Sequence, residues 1–307
     1  MRYLFTIQSQ ICNFAYVARE SFPWVNHGKD SRGTFNFQPM AKLSILIPTY
    51  NHGKFITQTL KGALAQITDF DFEIVVGDDA STDDNALIIS NFAKRFPDKI
   101  RAFLHPQNLG PIDPKELGGK NNVGFLFSQC KGEYIALCEG DDYWTNPLKL
   151  QKAYNFLEKN KDYSLCHHQL EVIYQDNSLS HGFNPKNQRD TSSLEDLLRD
   201  ESWFLGTAST VFRNVFKQGM PDWWWKTASG DLGIFIEVAK HGKIKYFPES
   251  MACYRKHSGG MTNIHTPQNQ FFLRNRMEMF ENLDNYFYFK YHDILEKTIE
   301  KYRTILQ

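Results

Sequence analysis

The sequence predicts an α/β fold built on a doubly wound, mostly parallel sheet with helices on both faces, and three observations carry that expectation. Apolar runs of strand length alternate with amphipathic stretches of helix length from Lys42 onward. The runs are nearly continuous, as in strands covered on both sides. Two of them end abruptly in acids, at Asp78-Asp79 and at Glu139-Gly140-Asp141-Asp142.

Each element follows from its pattern. Lys42 to Pro48 (KLSILIP) reads as the first strand, and the loop Thr49 to Gly53 leads to a helical spacing over Lys54 to Gln66. Phe72 to Val76 is the second strand, and Asp84 to Arg95 a helix with Ala86, Leu87, Ile88, Ile89 and Phe92 toward the core. Ile100 to Leu104 is a third strand, Asn108 to Lys120 a Gly/Pro-bearing loop, Asn122 to Cys130 a helix and Tyr134 to Cys138 the fourth strand. If the second and fourth strands are neighbours, right-handed crossovers bring both acidic ends to one edge.

Beyond Trp144 the pattern gives a helix at Lys149 to Lys159, a strand at Tyr163 to Tyr174 and a polar loop at Asn177 to Thr191. A short helix at Ser192 to Asp200 would open with a capping box, Ser192 with Glu195. Strands are expected at Thr207 to Arg213, Ile244 to Pro248 and Met251 to Arg255, with a helix at Asp231 to His241 between them. The expected domains are a loosely attached leader at 1–40, a core at 41–265 divided near residue 145, and a helical tail at 266–307. Met40 could be the natural start of translation.

Composition narrows the function. The chain carries 35 basic and 35 acidic residues, leaving no cationic excess for neutralising a nucleic-acid backbone. Five scattered cysteines without a CxxC pair fit buried thiols in a reducing compartment. No run approaches the ~18 apolar residues of a membrane span, so the protein is expected in the cytoplasm, with peripheral contact at the inner face of the membrane left open.

The chemistry is expected at Tyr134 to Trp144 (YIALCEGDDYW). A buried strand ending in three carboxylates is costly unless a cation or donors meet them. Hard oxygen ligands suit Mg2+ or Mn2+, and Gly140 permits a tight turn with close backbone approach. The working expectation is a divalent metal held against a phosphate. Tyr254-Arg255-Lys256-His257-Ser258-Gly259-Gly260 brings a histidine, two cations and a glycine pair able to form an anion-binding loop.

Taken together, Leu46 to Asn51 (LIPTYN), Val75 to Asp83 (VVGDDASTD) and Gly132 to Trp144 (GEYIALCEGDDYW) resemble the inverting family 2 glycosyltransferases of GT-A fold, closest in flavour to bacterial capsule and cell-surface polysaccharide enzymes. The resemblance covers about residues 42 to 262 and implies a Rossmann-like sheet, with a nucleotide-sugar half at 41–145 and an acceptor half at 146–265. It further implies that Pro48, Thr49 and Tyr50 line the nucleotide base and that Asp78 and Asp79 meet uracil or ribose. Asp141 would be the metal ligand with Asp142 beside it, while Glu139 and Gly140 fill the other positions of the family's Asp-x-Asp. Glu139 departs from the usual Asp, which leaves its role open. His257 would ligate metal and Arg255 hold phosphate, with Lys120 a weaker phosphate candidate.

The match to the family's catalytic base is Asp231 in Ser229-Gly230-Asp231, where glycine replaces the first acid. An N-cap role for Asp231 is the structural alternative. Trp223-Trp224-Trp225 reads as packing before acceptor stacking, and Gly206 to Ser209 as a border of the acceptor pocket. The implied activity is sugar transfer from a UDP-sugar, or another nucleotide-diphosphate donor, to a saccharide or lipid-linked acceptor. Association of copies through the C-terminal helices is a further possibility, and the rival functions are a non-catalytic nucleotide-sugar binder and a metal-dependent nucleotidyltransferase.

Overall fold

The computed structural model describes residues 41–110, 120–175, 180–201, 203–260 and 269–307. The expected leader lies outside them, as do residues 111–119 of the Gly/Pro-bearing loop. The first half runs β1 (Leu43–Thr49), α1 (Ile56–Leu64), β2 (Phe72–Asp78), α2 (Asn85–Arg95), β3 (Ile100–Leu104), α3 (Lys120–Gln129), β4 (Tyr134–Leu137) and β5 (Tyr143–Trp144). The second continues with α4 (Lys149–Lys159), β6 (Tyr163–Tyr174), β7 (His181–Gly182), β8 (Thr191–Ser192), α5 (Leu194–Arg199), β9 (Val211–Arg213), α6 (Gly230–Ala239) and β10 (Lys243–Lys256), then α7 (Gln270–Tyr286) and α8 (His292–Leu306).

The described strands form one sheet in the order β3-β2-β1-β4-β9-β6-β10-β5, with β7 added to β6 and β8 to β10. The long ladders are parallel, and β2 matches β1 from Leu43↔Phe72 to Thr49↔Asp78. The short ladders, including β9 between β4 and β6, are antiparallel. β2 and β4 are therefore not neighbours. They flank β1 and run parallel to it, which still delivers both acidic ends to one edge.

Alternate residues of β1 serve two cores, as expected of a strand covered on both sides. Ile45 and Ile47 pack with Leu60, Ile89, Leu150 and Leu157 from α1, α2 and α4. Leu46 packs with Leu126, Leu197, Phe235, Phe280 and Ile299, on the side of α3 and α5 to α8. The tail helices thus belong to the main core. Thr298 Oγ1 donates to the Leu198 carbonyl at 2.8 Å, and Arg276 pairs with Asp200 at 2.9 Å. No described helix is long and apolar enough to cross a membrane.

Several boundaries differ from expectation for local reasons. The capping box is Ser193 with Asp196, one residue later, because Ser192 pairs with β10. The two strands expected over 244–255 are one, since register shifts at Phe247/Ser250 and Ser250/Ala252 absorb Pro248, which has no N–H to donate. Thr207–Ser209 is a 3-10 turn before the short β9.

Candidate active site

The chain leaves β1 for β2 and β3 on one side, then returns to β4 on the other, which makes the carboxyl ends of β1 and β4 a topological switch point. Both acidic loops are fastened to the end of β1. Gly140 donates its N–H to the Pro48 carbonyl at 3.0 Å, and Asp79 donates its N–H to the Thr49 carbonyl at 3.0 Å. A Cβ on Gly140 would lie 2.3 Å from Thr49 Oγ1 and 2.9 Å from His52 Nδ1, so only glycine fits. Thr59 of α1 holds the same loop from below, donating to the carbonyls of Gly140 and Asp142 at 2.9 and 2.6 Å.

Three side chains converge above this loop. His257 Nε2 lies 3.0 Å from Asp141 Oδ2, and His52 Nε2 lies 3.7 Å from the same oxygen. One ligand atom from each of the three falls within 4.8 Å of the others. Burial opposes ionisation of Asp141, yet the His257 hydrogen bond and the nearby His52 ring hold its carboxyl below the usual range. Burial, partly offset by the Asp141 charge, pushes His52 down, and its buried Nδ1 has no hydrogen-bond partner among the described residues. Two imidazoles that can bind as neutral ligands and an ionised carboxylate suit a divalent transition ion. His52 was missed in the sequence; its signal was a histidine directly after a strand whose end faces the acidic loop.

Asp142 and Arg255 join the acidic loop to β10. Asp142 is buried, and its Oδ1 accepts the Arg255 backbone N–H at 2.8 Å. The Arg255 side chain donates from Nε to the Asp141 carbonyl at 2.9 Å and from Nη2 to Gln58 Oε1 at 2.9 Å. Its guanidinium lies 4.7 Å from the Phe55 ring centroid and 5.2 Å from that of Tyr143. The pair clasps β10 to the acidic loop and brings His257, two residues on, to Asp141.

The expected nucleotide residues lie along the same edge. Asp78 is buried and accepts from Ser81 N at 3.0 Å, Ser81 Oγ and Asn85 Nδ2, which makes it the lock of the following turn. Asp79 accepts the Leu109 N–H at 2.6 Å, and burial raises its carboxyl against that bond. Asn51 (φ 56°) and Ala80 (φ 57°) both adopt left-handed backbone. Asn51 Oδ1 accepts the Thr82 N–H at 2.8 Å, which braces the two loops and leaves Tyr50 exposed between them. Lys120, expected as a weak phosphate candidate, is buried, and its ammonium donates to the carbonyls of Trp225 and Thr227 at 2.6 and 2.9 Å.

Asp231 is exposed at the start of α6, and the N-cap is Ser229. The Asp231 carboxylate accepts the Leu232 N–H at 2.8 Å. Trp223 and Trp224 are core residues, and Trp224 Nε1 donates to the Gly230 carbonyl at 2.8 Å. Glu139 lies in the same loop as Asp141, just after β4. Burial and the Asp141 charge, with a smaller contribution from Asp231, push its carboxyl up to about 7, and its Oε2 has no partner among the described residues.

Comparison with known proteins agrees with this architecture. Residues 44–218 match the family described as glycosyl transferase family 2. An uncharacterised protein of Mycobacterium tuberculosis is 35% identical over 225 residues, covering 71% of this chain and 60% of the relative. This chain therefore spans less than two thirds of that relative's length. Among solved structures, Staphylococcus aureus TarS 1-349 in complex with UDP-GlcNAc superposes with a TM-score of 0.58 at 19% identity, over 80% of this chain and 67% of that one. The mannosyltransferase PcManGT from Pyrobaculum calidifontis, in complex with GDP-Man and Mn2+, gives 0.55 at 15% identity over 80% and 65%. With its GT-A sheet, its acidic loop at the switch point and the family match over more than half its length, the chain belongs to glycosyltransferase family 2.

Proposed function

We propose that this chain is an inverting glycosyltransferase that moves a sugar from a UDP-sugar to a hydroxyl of a saccharide or lipid-linked acceptor, in the synthesis of a surface polysaccharide. One convergence supports the reading above all: His52, Asp141 and His257 gather at the switch point, on the loop that carries Glu139 and Asp142. The three ligands would hold Mn2+ in preference to Mg2+, because two of the donors are imidazole nitrogens. When bound, the ion supplies Lewis-acid neutralisation of the leaving diphosphate.

The chain's own residues do the rest. Tyr50 offers a flat face to the base, and the buried Asp79, held by the Leu109 N–H, borders the ribose position. Asp231 accepts the proton of the attacking acceptor hydroxyl, standing at a helix start that fixes its direction. A single base with no carboxylate nucleophile gives inversion at the anomeric carbon.

The test is a panel of UDP-, GDP- and dTDP-sugars with Mn2+ or a chelator, beginning with UDP-GlcNAc, the donor bound in the TarS structure. Metal-dependent UDP release with an inverted product is expected. Asp231→Asn should keep Mn2+-dependent UDP binding and lose about a thousandfold in transfer. Transfer at the wild-type rate in that variant would reject Asp231 as the base, and UDP binding without turnover of any donor would favour a non-catalytic binder.

A further inference from the structure

We propose that Lys120 is a positioning residue that ties the base-bearing segment, Trp223 to Asp231, to the nucleotide side of the site. The inference rests on the reading of Asp231 as the base. Lys120 opens α3, and its ammonium reaches across to the carbonyls of Trp225 and Thr227. Those residues lie four to six positions before Asp231. Downstream, Thr227 Oγ1 accepts the Ser229 N–H at 3.1 Å, and Trp224 closes the turn onto Gly230. A Cβ on Gly230 would stand 3.8 Å from Lys120 Cγ, so the lysine stem runs directly beside the residue that precedes the base.

The same first turn of α3 is fastened on the nucleotide side. Asn121 Nδ2 donates to the Leu109 carbonyl at 3.0 Å, and the Leu109 N–H is the donor to Asp79. Asn122 Nδ2 donates to the Gly77 carbonyl at 2.8 Å, one residue before Asp78. Three consecutive side chains therefore hold both the acidic end of β2 and the segment that carries Asp231. A second contact supports the same join, because Trp225 packs so closely on α3 that a Cβ on Gly124 would fall 2.2 Å from its ring.

An ammonium buried against two carbonyls is a charge-assisted clamp. Its loss frees the segment at the point where a small displacement of a catalytic group costs most. A phosphate ligand would instead act on donor affinity, which separates the two roles.

The experiment compares Lys120→Met, Lys120→Arg and Gly124→Ala with the wild-type chain. UDP affinity with Mn2+ is read by calorimetry, amide exchange is followed over residues 223–231, and transfer is compared with donor hydrolysis using the donor found in the panel. Lys120→Met should leave UDP affinity within about twofold, raise exchange in the segment about tenfold and cut the ratio of transfer to hydrolysis by about a hundredfold. Water needs less exact alignment than an acceptor hydroxyl, so a general loss of stability would lower both rates alike and leave the ratio unchanged. Lys120→Arg keeps a cation in reach of the carbonyls and should hold the ratio within about threefold. Gly124→Ala displaces Trp225 with the lysine intact and should reproduce the loss, so the proposal stays open to refutation even if Lys120→Met fails to fold. Unchanged exchange and ratio in Lys120→Met or Gly124→Ala, or a fall in UDP affinity of about tenfold or more on loss of the lysine, overturns the proposal. Failure of the underlying reading shows separately, as full activity in Asp231→Asn.

Discussion

Asp142 and Arg255 clasp the acidic loop to β10 twice: the carboxylate takes the Arg255 backbone N–H at 2.8 Å, and the guanidinium returns a bond to the Asp141 carbonyl at 2.9 Å. Burial, with the charges of Asp141 and Glu139, raises Asp142 well above the ordinary range, and the Arg255 N–H bond opposes that rise. A metal ligand that touches nothing else would affect only the ion when removed. Asp142 instead sets where β10 meets the acidic loop, and therefore where His257 stands. Asp142→Ala should lower Mn2+ affinity about tenfold to a hundredfold, as loss of an outer-shell partner does. It should also cost about 1–3 kcal/mol of stability, because the Arg255 N–H is left unpaired. Calorimetry and denaturant melts check both, and a loss of metal affinity with no change in stability would make Asp142 a ligand after all.

His52, Asp141 and His257 should not contribute equally to metal binding. Asp141 would be the charged ligand and stands within 4 Å of both rings, so Asp141→Ala should abolish Mn2+-dependent UDP binding. His52→Ala and His257→Ala should each weaken it by about tenfold to a hundredfold. Mn2+ titration followed by electron paramagnetic resonance in the presence of UDP reads this order. Wild-type affinity in His52→Ala would remove that residue from the centre and leave the two ligands anticipated from the sequence.

That difference shows what the sequence could reveal. β1, β2 and β4 were legible because strands buried on both faces read as unbroken apolar runs, and α4 was found at its observed bounds from periodicity alone. The acidic loop was legible because three carboxylates after a buried strand call for a counter-charge. β9 was legible only in part: a strand was expected over Thr207 to Arg213 and its last three residues form one, but its antiparallel insertion between β4 and β6 depends on pairing that no local pattern encodes. His52 was hidden for the same reason: its partner lies 89 positions away, and only the parallel register of β1 with β4 brings the two loops together. Lys120 failed differently. Its charge suggested phosphate, whereas the fold buries the ammonium against carbonyls more than a hundred positions away.

Gly140 carries a purely steric prediction. The backbone there passes so close to Thr49 and His52 that a methyl group meets Thr49 Oγ1 at 2.3 Å. Gly140→Ala must push the loop away from β1 or rotate His52 away from Asp141 and His257. The expected result is a loss of about 1–3 kcal/mol in stability, together with a sharp fall in Mn2+-dependent UDP binding. Thermal melts with and without UDP and Mn2+ measure both effects. An alanine variant that keeps the ligand-induced shift would mean that the loop has slack enough to take a methyl group without disturbing His52.

Lys149 gives the last prediction, and it concerns stability alone. The side chain is fully buried at the start of α4, its ammonium 4.6 Å from the Trp144 ring centroid, with no hydrogen-bond partner among the described residues. Burial pushes it down to about 7, against small opposing effects of Cys138 and Cys166. The sign follows from proton counting. Between pH 7 and 10.5 the unfolded chain binds the Lys149 proton and the folded chain releases it, so this group's penalty shrinks as pH rises and is greatest below pH 7. The penalty is on the order of a few kcal/mol at neutral pH, while the contact with Trp144 returns only about 1–2 kcal/mol. Lys149→Met should therefore be more stable than wild type by about 1–3 kcal/mol near pH 7, with the gap closing toward pH 10. Urea midpoints of the two proteins across that range decide it. A gap that stays constant with pH would mean the lysine keeps its proton inside the fold, held by a partner such as a buried water.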